Sequence, residues 1–74
     1  MTLSEYLKAQ GFGAGKRLAE AIGAPQPDVS DWANGHRPVP IARCVAIEKA
    51  TEGQVSRRDL RPDDWQQFWP ELAA

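Results

Sequence analysis

Apolar residues recur at helical spacing along most of the chain, and helix-start and helix-stop residues separate the apolar segments. The opening segment TLSE, residues 2–5, has the T-x-x-E pattern of a capping box, which predicts that a helix begins there. Leu3, Tyr6 and Leu7 then follow at spacing i, i+3, i+4, so they share one face. Gly11 is a typical helix end. The first eleven residues therefore predict one short amphipathic helix.

A second and a third helix follow, joined by a very short turn. The second is predicted to begin near Gly13 or Gly15, and Gly23 supplies the positive φ that the sharp turn after it needs. Pro27 suits the first turn of the third helix, and Gly35 ends that helix. The inward-facing residues of this pair are Leu18, Ala19, Ile22, Val29 and Trp32. This glycine turn with this apolar set is typical of a helix-turn-helix.

Helix signals continue through the second half of the chain. Pro40 opens a fourth helix that runs to about Thr51 and has as its apolar residues Ile41, Cys44, Val45 and Ile47. Ser56 caps a short turn, SRRDL, in which Asp59 suits the helix dipole. Pro62 prevents a simple continuation of that turn. A tail that is predicted to fold back carries the last apolar residues, Trp65, Phe68, Trp69 and Leu72.

These elements, together with the lack of a strand pattern, predict an all-α fold: a small helix-turn-helix bundle of about five helices. We expect a single domain over residues 1–74, with the helix-turn-helix at about 15–34 and a C-terminal helical segment at 40–74. A chain of 74 residues is near the lower limit at which one apolar core is stable unaided. The predicted core residues are Leu7, Leu18, Ile22, Val29, Trp32, Val45, Ile47 and Leu60.

Composition indicates a cytoplasmic protein without catalytic chemistry. No apolar run is long enough to span a bilayer, and no secretory signal is visible. Cys44 is the single cysteine, which excludes an intramolecular disulfide and is expected to be a small core residue. His36 has no cysteine or histidine near it in the sequence that would favour a metal site. With no acid–base pair, nucleophile or metal set, we expect neither an enzyme nor a cofactor.

Charge limits how the chain can bind nucleic acid. Nine Lys and Arg stand against ten Asp and Glu, for a net charge of −1, whereas non-specific nucleic-acid binders are usually basic. Residues 1–50 have an excess of one positive charge and residues 51–74 an excess of two negative charges. Any basic surface that binds nucleic acid must therefore be confined to a local patch of the molecule.

The segment GFGAGKR, residues 11–17, has the glycines and cations of a phosphate-binding loop. Its spacing does not fit one, because Gln10 stands where the first glycine of G-x-x-x-x-G-K-[S/T] belongs, and Arg17 follows Lys16 in place of Ser or Thr. No apolar strand precedes it. The glycines instead indicate a helix start, whose bare N–H groups and positive dipole end suit a phosphate of a DNA duplex.

A longer set of residues resembles a known family. The pieces are Leu18–Gly23, "VSDW", "NG", "RPVP", "RC", "IE" and "DLRP" between residues 18 and 62. Together they resemble the small Cro-like repressors of phages and prophages and the YdaS-type antitoxins that share their pattern. The resemblance implies a lambda-repressor-like DNA-binding fold, and a transcriptional repressor that is often a dimer on a palindromic operator. The chain departs from the family in the glycines that begin its second helix and in Asp28 and Asp31.

The third helix supplies the candidates for reading DNA in a major groove. The residues expected to contact bases are Gln26, Pro27, Ser30, Asp31 and Asn34. Those expected to contact phosphates are Gly15, Lys16, Arg17, His36 and Arg37. Asp28 is expected to cap or to point away from the groove, and Arg43 to pair with Glu48 or with an Asp near the C-terminal turn.

Two functions follow from these observations. The first is a sequence-specific repressor that binds double-stranded operator DNA as a homodimer, associates with the nucleoid when bound, and occludes a promoter. The second is an antitoxin-type protein that binds a toxin through its acidic C-terminal segment and autoregulates its own promoter.

Overall fold

The computed structural model describes residues 1–73, and its regular elements are all helical. They are α1 (Leu3–Gln10), α2 (Ala14–Ile22), α3 (Gln26–Ala33), α4 (Ile41–Ala50), α5 (Arg57–Leu60), α6 (Trp65–Phe68) and a 3-10 helix (Pro70–Ala73). No strand occurs within residues 1–73. The all-α class is confirmed, with more elements than expected because the C-terminal tail forms α6 and the 3-10 turn. The end of the predicted domain, Ala74, lies outside the described residues.

The first helix is held at its N-terminus by the capping box. The Thr2 hydroxyl accepts a hydrogen bond from the Glu5 N–H at 3.1 Å, and the Glu5 carboxylate accepts one from the Thr2 N–H at 2.8 Å. Two N–H groups that have no partner inside the helix are thereby satisfied. Gly11 ends α1 at a φ of 85°, which a residue with a Cβ rarely adopts.

Helices α2 and α3 form the helix-turn-helix, and their turn depends on Gly23. This residue has a φ of 70°, and the N–H of Ala24 that follows it donates to the carbonyl of Ala19 at 2.9 Å. The chain therefore leaves α2 sharply and enters α3 within three residues. Ala19, Val29 and Trp32 are buried at the helix junction, as the sequence predicted.

The apolar core lies where α2, α3 and α4 meet. Its buried apolar residues are Leu3, Ala14, Leu18, Ala19, Val29, Trp32, Val39, Cys44, Ile47, Val55 and Trp69. Of the other predicted core residues, Leu7, Ile22 and Leu60 are partly buried and pack against this cluster. The expectation that Cys44 is a core residue is confirmed.

The placement of Val45 in the core is wrong. Its side chain is 45% exposed and lies near Glu48 and Lys49 at the surface. The buried face of α4 runs through Cys44 and Ile47, and each residue advances the helix by about 100°. Val45 therefore lies on the side away from the core, although it directly follows a fully buried residue.

The expected pairing of Arg43 is also wrong. Its guanidinium donates to the carbonyl of Ile22 at 2.8 Å, where α2 ends. Glu48 instead pairs with Arg57, with 3.1 Å between Oε1 and Nε. Helix α4 packs across the end of α2, so Arg43 reaches the negative end of that helix.

Arginines of the α5 region stack on the aromatic tail and hold it against the bundle. Their guanidinium groups lie 4.4 to 5.5 Å from the ring centroids in the pairs Arg57–Trp69, Arg58–Trp65 and Arg61–Phe68. Trp69 is buried, and Trp65 and Leu72 pack against the core as expected. Phe68, in the same tail, is 44% exposed.

Candidate nucleic-acid interface

Helix α3 has one buried face and one open face. Val29 and Trp32 point into the core, at 0% and 8% exposure. The opposite side carries four exposed residues that were predicted from the sequence to contact bases, Gln26, Pro27, Ser30 and Asn34. The fifth residue predicted to contact a base, Asp31, lies at the edge of this face and is partly buried. The core thus fixes which side of α3 is available to a ligand.

One edge of the open face borders a groove shared with α1 and the start of α2. Gln26, Ser30 and Asn34 line this groove opposite Lys8 and Gly15, and its volume is about 360 Å³. Asn34 also donates a long hydrogen bond, 3.4 Å, to the hydroxyl of Ser30. Lys8 was not among the predicted site residues. It follows Leu7 on α1, and the packing of α1 against α3 brings it to the edge of this groove.

The other edge of the face is an ion-pair cluster. Arg37 lies 2.6 Å from Asp28 Oδ1 and 3.2 Å from Asp31 Oδ2, and His36 Nδ1 lies 3.7 Å from Asp31 Oδ1. Two of the residues predicted to contact phosphates, His36 and Arg37, therefore lie near carboxylates of α3. Asp28 caps no helix end here but pairs with Arg37, so the Arg37 guanidinium offsets one of the two negative charges of Asp28 and Asp31.

The start of α2 presents backbone donors beside an exposed lysine. Gly13 is the N-cap and supplies no side chain to close the helix end. Within residues 1–73, no acceptor lies at the N–H groups of Gly15 and Lys16, and no carboxylate pairs with the Lys16 ammonium group. Such an N-terminus suits an anion, because the donors and the helix dipole act in the same direction.

Arg17 has a different role from its neighbour Lys16. Its guanidinium donates to the carbonyl of Phe12 at 3.0 Å and to that of Gln10 at 3.2 Å. It therefore ties the loop before α2 to the end of α1. Its side chain remains exposed, so its positive charge still contributes to the field at this end of the molecule.

Electrostatically, the candidate interface is positive on the side of α1 and α2 and has one excess negative charge on the side of Arg37, where one guanidinium faces two carboxylates. The segment from Tyr6 to Ala19 contains three cations and no acid. This is the local basic patch that a chain with a net charge of −1 needs in order to bind a polyanion.

The described part of the chain holds no metal-binding cluster, and its one cysteine is buried. No cluster of His, Cys, Asp and Glu there could hold a metal ion. Burial raises the pKa of the Cys44 thiol to about 11, which disfavours the nucleophilic thiolate. Among residues 1–73, no helix is long and apolar enough to cross a membrane.

Comparison with known proteins agrees with this architecture. The model of a family described as "Bacterial toxin YdaS" matches residues 8–68. A protein of Escherichia coli (strain K12), described as "Putative transcriptional regulator YdaS", is 44% identical over 54 residues. These residues are 72% of this chain and 55% of the relative, so the chain spans about half the length of the curated relative that it matches. The family match and the identity confirm the YdaS-type resemblance, and the chain belongs to the YdaS family.

Proposed function

We propose that this protein is a sequence-specific DNA-binding transcriptional regulator that acts as a Cro-like repressor. Helix α3 enters the major groove of a palindromic operator, and the bound protein occludes a promoter. The observation that carries the proposal is the open face of α3, where Gln26, Ser30 and Asn34 are exposed while Val29 and Trp32 lock the opposite face into the core. The description of the E. coli relative as a transcriptional regulator supports the same role.

In this mechanism, phosphate contacts position the protein and base contacts give specificity. The N–H groups at the start of α2 and the Lys16 ammonium group bind one phosphate strand. Gln26 then reaches a base edge, where an amide pairs best with adenine. In the proposed complex, Asp31, at the edge of the face, accepts a hydrogen bond from a cytosine amino group.

Two substitutions separate positioning from reading. The duplex is selected from a random pool by the protein itself, and fluorescence anisotropy is measured on it and on a scrambled duplex at two salt concentrations. Lys16→Ala should weaken binding to both duplexes and lower the salt dependence by about one charge. Gln26→Ala should cost about 1–3 kcal/mol on the selected duplex and little on the scrambled one.

The matched controls lie outside the interface. Lys49→Ala removes an exposed lysine of α4, and Gln67→Ala removes an exposed glutamine of α6. Both should bind as the parent protein does. If the four variants behave identically on both duplexes, α3 does not read DNA and the proposal is wrong.

The proposal is of a binding protein, with no reaction and no cofactor. Cys44 is buried, so its thiol is not presented at the surface. We place the protein in the bacterial cytoplasm, on the nucleoid when it is bound to DNA.

A role in a toxin–antitoxin pair is the second candidate, because the matching family is described as a bacterial toxin. In that case the chain binds a protein partner and autoregulates its promoter. Induced expression in a bacterial host, followed as growth rate, distinguishes the two. Growth arrest that persists in the Gln26→Ala, Ser30→Ala double variant would favour toxicity through a protein partner, whereas arrest that disappears would trace it to DNA binding.

A further inference from the structure

Phe12 is the most exposed apolar side chain in the described part of the molecule. Its relative exposure is 104%, whereas Met1, Val45 and Phe68, the other large apolar residues at the surface, are 44–45% exposed. The ring makes no contribution to the core, so packing does not explain why an apolar residue occupies this position. An aromatic ring held entirely in water at a defined position is a candidate for contact with a ligand.

The loop that carries Phe12 is held in one conformation from both sides. Gly11 and Gly13 have φ values of 85° and 82°, and the Ala14 N–H donates to the Gly11 carbonyl at 3.2 Å. Arg17 donates to the carbonyl of Phe12 itself at 3.0 Å. Because these bonds fix the backbone before any ligand arrives, little backbone entropy remains to be lost when the ring is covered.

The surroundings of Phe12 fit a polyanion better than an apolar protein surface. Lys8, Lys16 and Arg17 all lie within five residues of it in the sequence, and no Asp or Glu occurs between Glu5 and Glu20. The segment that carries the ring is therefore cationic and free of acids, and charge complementarity favours its association with DNA.

The position of Phe12 follows from the docking of the helix-turn-helix. Phe12 precedes Gly15 by three residues, so the two Cα atoms are at most about 11 Å apart. Gly15 lines the groove beside the open face of α3, at the end of α2 that is proposed to lie on a phosphate strand. That strand separates the major groove, which holds α3, from the neighbouring minor groove. A residue beyond the start of α2 therefore lies over the strand or on its minor-groove side.

We propose that Phe12 is a DNA-contacting residue that places its ring in the minor groove next to the major groove read by α3. This inference rests on the proposed function and adds to it an apolar contact outside the helix-turn-helix. Minor-groove proteins use apolar side chains in this way, with cations beside them on the phosphates. The contact is apolar and uses no hydrogen bond to a base edge, so it adds affinity on the selected and the scrambled duplex alike.

Substitution of Phe12 separates this contact from a phosphate contact. Phe12→Ala should weaken binding about tenfold on both the selected and the scrambled duplex, as loss of an aromatic contact with a base step does. The salt dependence of binding should stay unchanged, because no charge is removed, whereas Lys16→Ala lowers it. Phe12→Leu, which keeps an apolar wedge, should retain most of the affinity.

The controls distinguish failure of this inference from failure of the proposed function. Val45→Ala removes an exposed apolar side chain of α4 and should bind as the parent protein does. If the parent protein binds no duplex, the proposed function fails. If the parent protein binds and Phe12→Ala binds equally well, only the Phe12 contact is refuted, and the ring is then available to a protein partner. A fall in melting temperature that parallels the loss of binding would also overturn the inference, because it would show that the ring stabilises the fold.

Discussion

Arg37 lies between two carboxylates of α3, and this arrangement sets the charge of the reading surface. The guanidinium is 54% exposed, so its ion pairs with Asp28 and Asp31 add little to stability. Their main effect is on the field at the surface: without Arg37, two negative charges would face the phosphates. In the proposed complex with DNA, the same guanidinium would face the phosphates while it remains the partner of the two acids.

Asp31→Asn tests this account of the charge. Removing one carboxylate leaves Arg37 less compensated and should strengthen binding to a scrambled duplex by about three- to tenfold at low salt. The preference for the selected duplex over the scrambled one should fall, because the amide no longer accepts as a carboxylate does from cytosine. Anisotropy titrations on both duplexes measure the two effects. Asp63→Asn, an exposed acid beyond α5, is the control, and unchanged scrambled-duplex affinity in Asp31→Asn would contradict the account.

Cys44 reports on the integrity of the core. Its side chain is fully buried, and burial raises the pKa of the thiol to about 11. At pH 8 we expect a thiol-specific disulfide reagent to react roughly a hundredfold or more slowly with the native protein than with the urea-unfolded chain. Absorbance of the released reagent follows the rate. Equal rates in the two states would show that α4 does not close over this residue.

At the scale of the elements, side chains close two of the helix starts. Thr2 and Glu5 form the box at α1, and Ser56 and Asp59 form a second box at α5. Each box provides acceptors for two backbone N–H groups that have no acceptor inside the helix. In a helix of only one or two turns, these groups are a large share of all the backbone donors. Short helices in a small domain depend on such local bonds, because they bury little apolar area of their own.

These carboxylates predict how stability depends on acid. The Thr2 backbone and hydroxyl lower the pKa of Glu5, and the hydrogen bond from Arg61 lowers the pKa of Asp64. For Asp59, burial acts to raise the pKa, but hydrogen bonds from Ser56 and from the N-terminal ammonium group of Met1 together outweigh it, so the pKa is lowered. A folded pKa below the unfolded one gives stabilisation that is present above about pH 4 and is lost as the pH falls through the folded pKa.

The melting temperature should therefore be nearly constant from pH 7 to about pH 5 and decrease below about pH 4. Thermal unfolding followed by circular dichroism between pH 2.5 and 7 measures this. Glu5→Gln keeps the capping geometry without a titrating group, so its decrease should be shallower. Glu20→Gln removes an exposed carboxylate of α2 that forms no cap and serves as the control. A decrease identical in Glu5→Gln and the parent protein would exclude the α1 box as a source of acid sensitivity.

At the scale of the whole molecule, size limits what one copy can read. The chain extends 36 × 21 × 19 Å, and α3 has eight residues, a length of about 12 Å. A single recognition helix of this length contacts only a few base pairs. Useful specificity therefore calls for two copies on a two-fold site, with half-sites about one helical turn apart.

We accordingly expect a homodimer on DNA and a weak dimer or a monomer in solution. Footprinting on the selected duplex should show two symmetric protected half-sites, about 10 base pairs apart from centre to centre. Sedimentation of the protein alone and with the duplex measures the stoichiometry. Protection of one isolated half-site, or a one-to-one complex at saturation, would contradict the dimer.

The sequence alone determined the helical class, most helix ends and the helix-turn-helix, because each depends on contacts within a few residues. The capping box at Thr2, the positive φ of Gly23 and the Ser56 cap are local chemistry of this kind. The exposed face of α3 could also be predicted, since Val29 and Trp32 mark its buried side.

Only the tertiary structure decided which helix faces pack against each other and which charged side chains come into contact. Val45 lies outside the core because the crossing of α4 over α2 selects the face through Cys44 and Ile47. Lys8 reaches the groove beside α3 through the packing of α1, and Arg37 finds Asp28 nine residues away in sequence. Crossing angles between helices and the return path of loops set these distances. They depend on the whole core at once, so no local pattern specifies them.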